Sequence, residues 1–150
     1  MAVVCMRRLF LAVLLPASFP LAATAQSEDD VYNRIESLHG DAIGFNNIFD
    51  LLKDAMLSGD AATVAQHASY PLTIQANGEV YDVLEQQDLI DNFDTLVMLE
   101  TRYSVANQNY ADLFVNSDGV MIADGTVWIG AVCEDDSCAR IRWEIIAINN

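Results

Sequence analysis

Two cysteines near the C-terminus are the residues whose types and spacing most directly point to chemistry. The stretch CEDDSC places Cys133 and Cys138 on either side of four residues, three of them acidic. A tetrahedral zinc site needs four ligands, whereas this stretch offers two thiols, hard carboxylates and no nearby histidine. The spacing of a redox CxxC motif and the regular ligand spacing of a calcium loop are both absent. The stretch therefore predicts a disulfide, with no metal site and no cofactor.

Candidate general bases come from one histidine and one aspartate. His67 follows a short predicted helix, and Asp124 lies between apolar residues of a predicted strand. Either side chain could take up a proton if it lined an apolar cavity, and Tyr70 and Tyr103 could supply hydroxyl groups there. Other roles stay open, with His67 exposed or locally bonded and the tyrosines at the edge of the core. The facing of Asp124 also stays open, because a bulge at Gly125 would reverse it.

The first 25 residues have the pattern of a secretory signal peptide. Two arginines precede an apolar run at residues 9–15, and Ala23-Thr24-Ala25 forms a small-x-small cleavage site. The apolar run is too short for a transmembrane helix. We therefore expect cleavage before Gln26, a periplasmic or secreted location, and no membrane association afterwards. An oxidising compartment of this kind favours the disulfide.

The charge of the chain is strongly negative. Its 150 residues include 22 acidic and 7 basic side chains, a formal charge of −15 that becomes −17 without the two arginines of the signal peptide. Such a charge argues against binding to nucleic acid or to anionic lipid surfaces. Because the acidic residues are scattered, they could either keep a secreted protein soluble or favour a cationic partner. No Ser/His/Asp arrangement, glycine-rich phosphate loop or HExxH motif accompanies them.

Apolar spacing predicts helices in the first two thirds of the chain and strands in the last third. Asn77-Gly78 between two short extended runs is a strong signal for a two-residue hairpin turn. The predicted order is helices ending at Gly40 and Gly59, a short third helix, the hairpin, a bent or broken helix around residues 86–108, and antiparallel strands from residue 111. We therefore expect one α+β domain at residues 45–150, preceded by a helical extension at residues 26–44.

This order of elements resembles that of the nuclear-transport-factor-two-like superfamily, also called SnoaL-like or cystatin-like. Within residues 45–150, the phrases YPLTI, LFVNSDGVMIADGTVWIG and IIAINN are similar to those of small secreted bacterial members. The resemblance implies N-terminal helices packed on a curved antiparallel sheet, which forms a cone with an internal pocket. It also implies a homodimer through the outer face of the sheet. The superfamily includes isomerases, dehydratases and non-enzymatic binders, so the fold alone selects no function.

A disulfide directly across a hairpin would fix the pairing of the last two strands. If Cys133 lies opposite Cys138, then Trp128 lies opposite Trp143. Side-chain alternation then puts both tryptophans and Thr126 on the apolar face beneath the helices. The outer face would carry the charged residues and an apolar strip: Val127, Ile129, Ile146 and Ile148.

Three functions follow as expectations. The first is a binding protein whose cone, floored by Trp128 and Trp143 and lined by Thr126, Tyr70 and Tyr103, holds a small apolar or aromatic ligand. The second is an isomerase or dehydratase that uses the aspartate or histidine base. The third is an acidic interaction or inhibitor protein for a cationic partner. Convergence of the polar groups in one cavity would favour the enzyme, and salt-sensitive protein binding would favour the third.

Overall fold

The structure is a computed structural model that describes residues 25–150, so the predicted signal peptide lies outside the described residues apart from Ala25. This part of the chain forms an α+β fold in which helices pack on one face of a six-stranded sheet. The helices are α1 (Glu28–His39), α2 (Ala42–Ser58), α3 (Ala61–Gln66), α4 (Gln86–Asp91), α5 (Phe93–Leu96) and α6 (Leu99–Ala106). The strands are β1 (Ala68–Ala76), β2 (Glu79–Val83), β3 (Phe114–Asn116), β4 (Gly119–Ile122), β5 (Val127–Cys133) and β6 (Ile141–Asn149). Within residues 25–150, no helix is long and apolar enough to cross a membrane.

The ends of the first helices follow local signals in the sequence. At the start of α1, the Ser27 hydroxyl accepts from the Asp30 N–H at 3.2 Å, and the Asp30 carboxylate accepts from the Ser27 N–H at 2.9 Å. This reciprocal arrangement is a capping box. Gly40 and Gly59 end α1 and α2 with φ of 76° and 71°, a left-handed conformation that glycine adopts without a steric penalty. The predicted helix ends are therefore confirmed.

The sheet is mixed, which corrects the prediction of a wholly antiparallel one. Its strand order is β2-β1-β6-β5-β4-β3. The hairpin turn at Asn77-Gly78 joins β1 to β2 as predicted. After β2 the chain passes through α4–α6 and the β3–β5 meander, and β6 then runs beside β1 in the same direction. The first and last strands are thus neighbours at the centre of the sheet.

The stretch 119–133 forms two strands and not one bent strand, a second correction. Ala123, Asp124 and Gly125 all have positive φ, at 51°, 54° and 95°. The Thr126 hydroxyl donates to the Ala123 carbonyl at 2.6 Å and closes this reversal. The chain therefore turns back on itself, and β4 pairs with β5 in antiparallel fashion.

The predicted disulfide is present, but it closes a loop and does not lie across a strand pair. Cys133 is opposite Ile141, while Cys138 sits in the connecting loop with φ of 54° and a Cα 4.7 Å from that of Cys133. The Glu134 N–H donates to the Arg140 carbonyl at 2.9 Å, which extends the β5–β6 ladder by one residue pair beyond Cys133 and Ile141. Because Cys138 is not a strand residue, the pairing derived from it is wrong.

The two tryptophans consequently lie on opposite faces of the sheet, which contradicts their predicted pairing. Trp143 is opposite Ala131, whereas Trp128 is opposite Ala147. Trp128 and Ala131 are three positions apart on β5, so their side chains point to different faces. An irregularity at Ile146 shifts the register between the two pairs.

The helix-covered face carries the core. Val127, Ile129 and Ile148, which were predicted on the outer face, are at most 1% exposed and lie in the core with Trp143 and Ile145. α1 contributes to the same core through its buried apolar residues. The opposite face, here called the open face, has a row of directly opposed residues across the strands: Phe114, Met121, Trp128, Ala147 and Thr73.

Candidate functional site

A surface cleft of about 490 Å³ lies between α2, the end of α3 and the first residues of β6. We call it the α2–β6 cleft. It exists because β1 begins at Ala68 and accompanies β6 only from Ile145 onward, so that residues 141–144 extend beyond their neighbour. Its lining combines apolar with polar side chains: Asp41, Gly44, Asn47, Ile48, Leu51, Gln66, His67, Ile141, Arg142, Trp143 and Glu144.

Trp143 is held in this cleft by a hydrogen bond and by two aromatic contacts. Its side chain lies on the helix-covered face, and its indole N–H donates to the Asp41 carbonyl at 3.0 Å. The rings of His39 and Phe45 meet it edge-on, each with centroids 5.1 Å away. Buried edge-to-face aromatic contacts of this kind add stability beyond the buried area. Trp143 therefore gives the cleft a rigid aromatic floor.

The polar groups of the cleft centre on an ion pair at its β6 side. Arg142 Nη2 lies 2.7 Å from Glu144 Oε1, and Glu144 is only 8% exposed. A buried carboxylate needs such a partner, because an unpaired charge would be strongly destabilised. His67 borders the same cleft, and its backbone carbonyl accepts from the Ile145 N–H at 2.8 Å. The cleft thus offers a histidine and a paired carboxylate beside apolar walls.

Of the residues predicted to form a site, only His67 and Trp143 line this cleft. Trp128 lies on the open face. Asp124 is exposed at the β4–β5 turn and borders a different cleft of about 460 Å³, formed with α6. The structure therefore separates the two candidate bases from each other.

The predicted hydroxyl donors are engaged locally or face solvent. The Tyr70 hydroxyl donates to the Ala65 carbonyl at 2.8 Å, and burial raises the pKa of Tyr70 to about 12. Tyr103 is 51% exposed on α6. Thr126 uses its hydroxyl in the β4–β5 turn. These three side chains do not line the α2–β6 cleft.

A second cleft, of about 440 Å³, lies between α1, α2 and the turn at Tyr110–Asp112, and sequence reasoning missed it. Lys53 Nζ donates to the Gln108 carbonyl at 2.8 Å and sits over the Phe49 ring, 5.0 Å from its centroid. Asn46 Oδ1 and Tyr110 Oη are buried here without a hydrogen-bond partner among residues 25–150. No local pattern in the sequence marks these residues, because they meet only through packing of distant segments.

The hydroxyl of Tyr110, in the second cleft, has a raised pKa. Burial is the main reason that its pKa rises to about 12, and the neighbouring Tyr32, Glu28 and Asp50 raise it further. Its hydroxyl therefore stays protonated at neutral pH. The cleft can therefore offer a hydroxyl and an amide oxygen to a ligand.

In the described part of the chain, no group of three or more histidine, cysteine, aspartate or glutamate side chains is placed to hold a metal ion. The Cys133–Cys138 disulfide fits a protein of an oxidising compartment. Compared with protein-family models, with curated proteins and with solved structures, the chain matches none of them.

Proposed function

We propose that this protein is a binding protein that holds an apolar or aromatic group in the α2–β6 cleft, against Trp143. The observation that carries the proposal is the combination of the Trp143 floor with the apolar walls of Ile48 and Leu51, while the Arg142–Glu144 pair lies at the β6 edge of the cleft with Arg142 exposed. Ligand sites in proteins are commonly clefts of this size, with apolar walls and a few polar groups that orient the ligand. The site is therefore at the side of the helix layer and not inside a cone.

The proposal includes a periplasmic or secreted location after removal of residues 1–25. The signal-peptide pattern and the disulfide support it. It also includes membership of the nuclear-transport-factor-two-like superfamily, which is supported by helices that precede a hairpin, further helices and a final run of strands.

An isomerase or dehydratase remains the alternative, and His67 is the residue that would carry it. His67 borders the cleft beside its apolar walls, so a base could face a ligand held against Trp143. Replacement of His67 by alanine separates the two functions. Ligand binding that survives the change while a substrate-consuming activity disappears would favour the enzyme.

The test of the binding proposal is a titration with a panel of small aromatic and aliphatic compounds, followed by amide chemical shifts. We expect shifts at cleft residues, and we expect Leu51→Arg to weaken the best binder about tenfold or more, because the new side chain occupies the apolar wall. Leu57→Arg is the matched control, since Leu57 is an exposed leucine of the same helix that does not line the cleft. Equal affinity in the two variants, or no compound that shifts the cleft residues, would overturn the proposal.

A further inference from the structure

The first residues of β6 present an unpaired strand edge to the α2–β6 cleft. On one side, the Glu134 N–H donates to the Arg140 carbonyl, and on the other the Ile145 N–H donates to the His67 carbonyl. Backbone groups of an antiparallel ladder alternate between the two edges of a strand. The N–H and C=O of Ile141 and Trp143 therefore point away from β5, on the same edge as those of Ile145.

No strand of residues 25–150 lies beside this edge. β1 begins at Ala68, opposite Ile145, so it does not reach Ile141 or Trp143. Among residues 25–150, no group is hydrogen-bonded to the backbone N–H or C=O of these two residues on this edge. The edge opens into the cleft, where Ile141 and Trp143 both form part of the lining. Two donors and two acceptors thus stand in line, with a repeat of about 6.8 Å, twice the rise per strand residue.

An extended peptide backbone offers donors and acceptors that alternate with this repeat. We propose that the ligand of the α2–β6 cleft is an extended peptide segment that adds to β6 as a further strand beside Ile141 and Trp143. The inference rests on the proposed binding function and names the class of its ligand. Strand addition of this type takes its affinity from main-chain hydrogen bonds and its specificity from alternate side chains.

The surroundings of the edge define which side chains the segment carries. In an antiparallel pair, directly opposed residues share a face of the sheet, so the segment's residues opposite Ile141 and Trp143 point toward the helix side, beside Ile48 and Leu51. These positions fit apolar side chains. The intervening residues point toward the open face, where Arg142 and Glu144 already neutralise each other.

Charge at the Ile141 end of the edge favours basic side chains. This end lies beside the exposed loop that contains Glu134, Asp135 and Asp136, and Asp41 borders the same cleft. Arg140 pairs with Glu134 at 3.3 Å, so the three aspartates supply the remaining negative charge. A hydrogen bond from the Ser137 side chain, and to a smaller extent one from the Ala139 N–H, lower the pKa of Asp135 and keep its carboxylate ionised. With a chain charge of −15, the surface attracts lysine and arginine side chains at intervening positions. The fitting segment therefore alternates apolar and basic residues.

The test uses a blocked pentapeptide that alternates lysine and valine and begins and ends with lysine, with the intact protein. Two N-methylated analogues are the matched pair, one methylated on both valines and one on the central lysine. The valine N–H groups face β6 in the proposed pairing, so their methylation should weaken binding about tenfold or more, as measured by calorimetry. Methylation of the central lysine should change affinity by less than about threefold, because its N–H points away from β6.

Hydrogen exchange supplies an independent readout with an internal control. The peptide should slow exchange at the Ile141 and Trp143 amides about tenfold or more. It should leave Arg142 and Glu144 unchanged, because their amides already face β5. Slowing confined to Ile141 and Trp143, with the predicted order of the two analogues, supports strand addition.

Three results would overturn the peptide inference. The first is equal weakening by both N-methylated analogues. The second is slow exchange at Ile141 and Trp143 without peptide and in proportion to protein concentration, which would assign the edge to a second copy of the chain. The third is binding of a small aromatic compound in the cleft without any binding of the peptide, which would leave the proposed function standing. If neither the peptide nor any small compound binds at the cleft, the inference and the proposed function both fail.

Discussion

Trp143 and Trp128 lie on neighbouring strands of one sheet, and their surroundings are opposite in kind. Trp143 is 5% exposed, holds a hydrogen bond to the Asp41 carbonyl and meets two aromatic rings edge-on. Trp128 is half-buried between Met121 and Ala147, in a row of side chains that no helix of residues 25–150 covers. Within the described residues, helices therefore cover one face of the sheet and leave the other open.

The open face supports the proposal of a homodimer through the sheet. Phe114 is 51% exposed and continues the row that Met121 and Trp128 begin. At Gly130, an added Cβ would lie 2.9 Å from Ile146 Cγ2, so the Ile146 side chain extends over that glycine on the same face. A contiguous apolar patch of this kind is uncommon on a monomer and is frequently covered by a partner.

The largest contrast should appear in stability. Trp143→Ala removes a buried ring and leaves a cavity, so we expect a loss of about 3–5 kcal/mol in the free energy of unfolding. Trp128→Ala removes a half-buried ring at an open surface, and we expect a loss of about 1 kcal/mol. Urea unfolding of the two variants at low protein concentration measures both losses. Equal losses would mean that the two faces are not as different as the contacts indicate.

The second contrast is in self-association. Trp128→Glu places a charge in the centre of the open face and should raise the dissociation constant of the dimer about 100-fold, which corresponds to about 2.7 kcal/mol. Asp82→Asn is the control, because Asp82 belongs to the same face at the far edge strand, opposite Thr73. Sedimentation velocity at several concentrations gives the dissociation constants. A monomeric wild-type protein at all concentrations would sink the dimer proposal.

We expect the disulfide to contribute to the free energy of unfolding without affecting the packing of the Trp143 ring. Replacement of Cys133 and Cys138 by serine opens a small loop, and the loop-entropy model gives a loss of about 2 kcal/mol. The near-ultraviolet circular dichroism of Trp143 should stay unchanged, because the strand pairs that position it lie outside the loop. Loss of that signal in the folded variant would show that the disulfide, and not the ladder, holds the register.

The smallest effect at neutral pH concerns the buried tyrosines. Burial raises the pKa values of Tyr70 and Tyr110 to about 12, from an ordinary value of 10.0. Because these pKa values are higher in the folded state, the associated stability is complete below pH 10 and is lost as pH rises through about 12. Phenolate absorbance during alkaline titration should show two late-ionising tyrosines, and Tyr110→Phe should remove one. Ionisation of all five tyrosines near pH 10 would contradict the burial of these two hydroxyls.

Local signals predicted the helix ends and the first hairpin, because each depends on a few adjacent residues. Ser27, Gly40 and Asn77-Gly78 specify a cap, a helix end and a turn without reference to the rest of the chain. The predicted register of the last two strands is wrong for a physical reason. Cys138 adopts a left-handed conformation in the loop, and the sequence gives no sign that the strand resumes only at Ile141.

The candidate site was predictable only in part. His67 and Trp143 were both singled out, but their meeting in one cleft depends on where β1 begins beside β6, which is a result of long-range packing. The turn at Ala123 and Asp124 escaped prediction because two non-glycine residues adopt positive φ there. That turn also leaves Asp124 exposed at a different cleft from His67, so the two candidate bases do not meet in one cleft.

The proposed binding surface lies beside Trp143 and not beside Trp128. The most direct measurement is fluorescence of two single-tryptophan variants, Trp128→Phe and Trp143→Phe, titrated with the alternating lysine–valine peptide, which carries no aromatic ring. We expect a saturable change in the emission of Trp143 in the first variant and no change in the emission of Trp128 in the second. A saturable change at Trp128 with none at Trp143 would contradict this prediction and would place the binding surface on the open face.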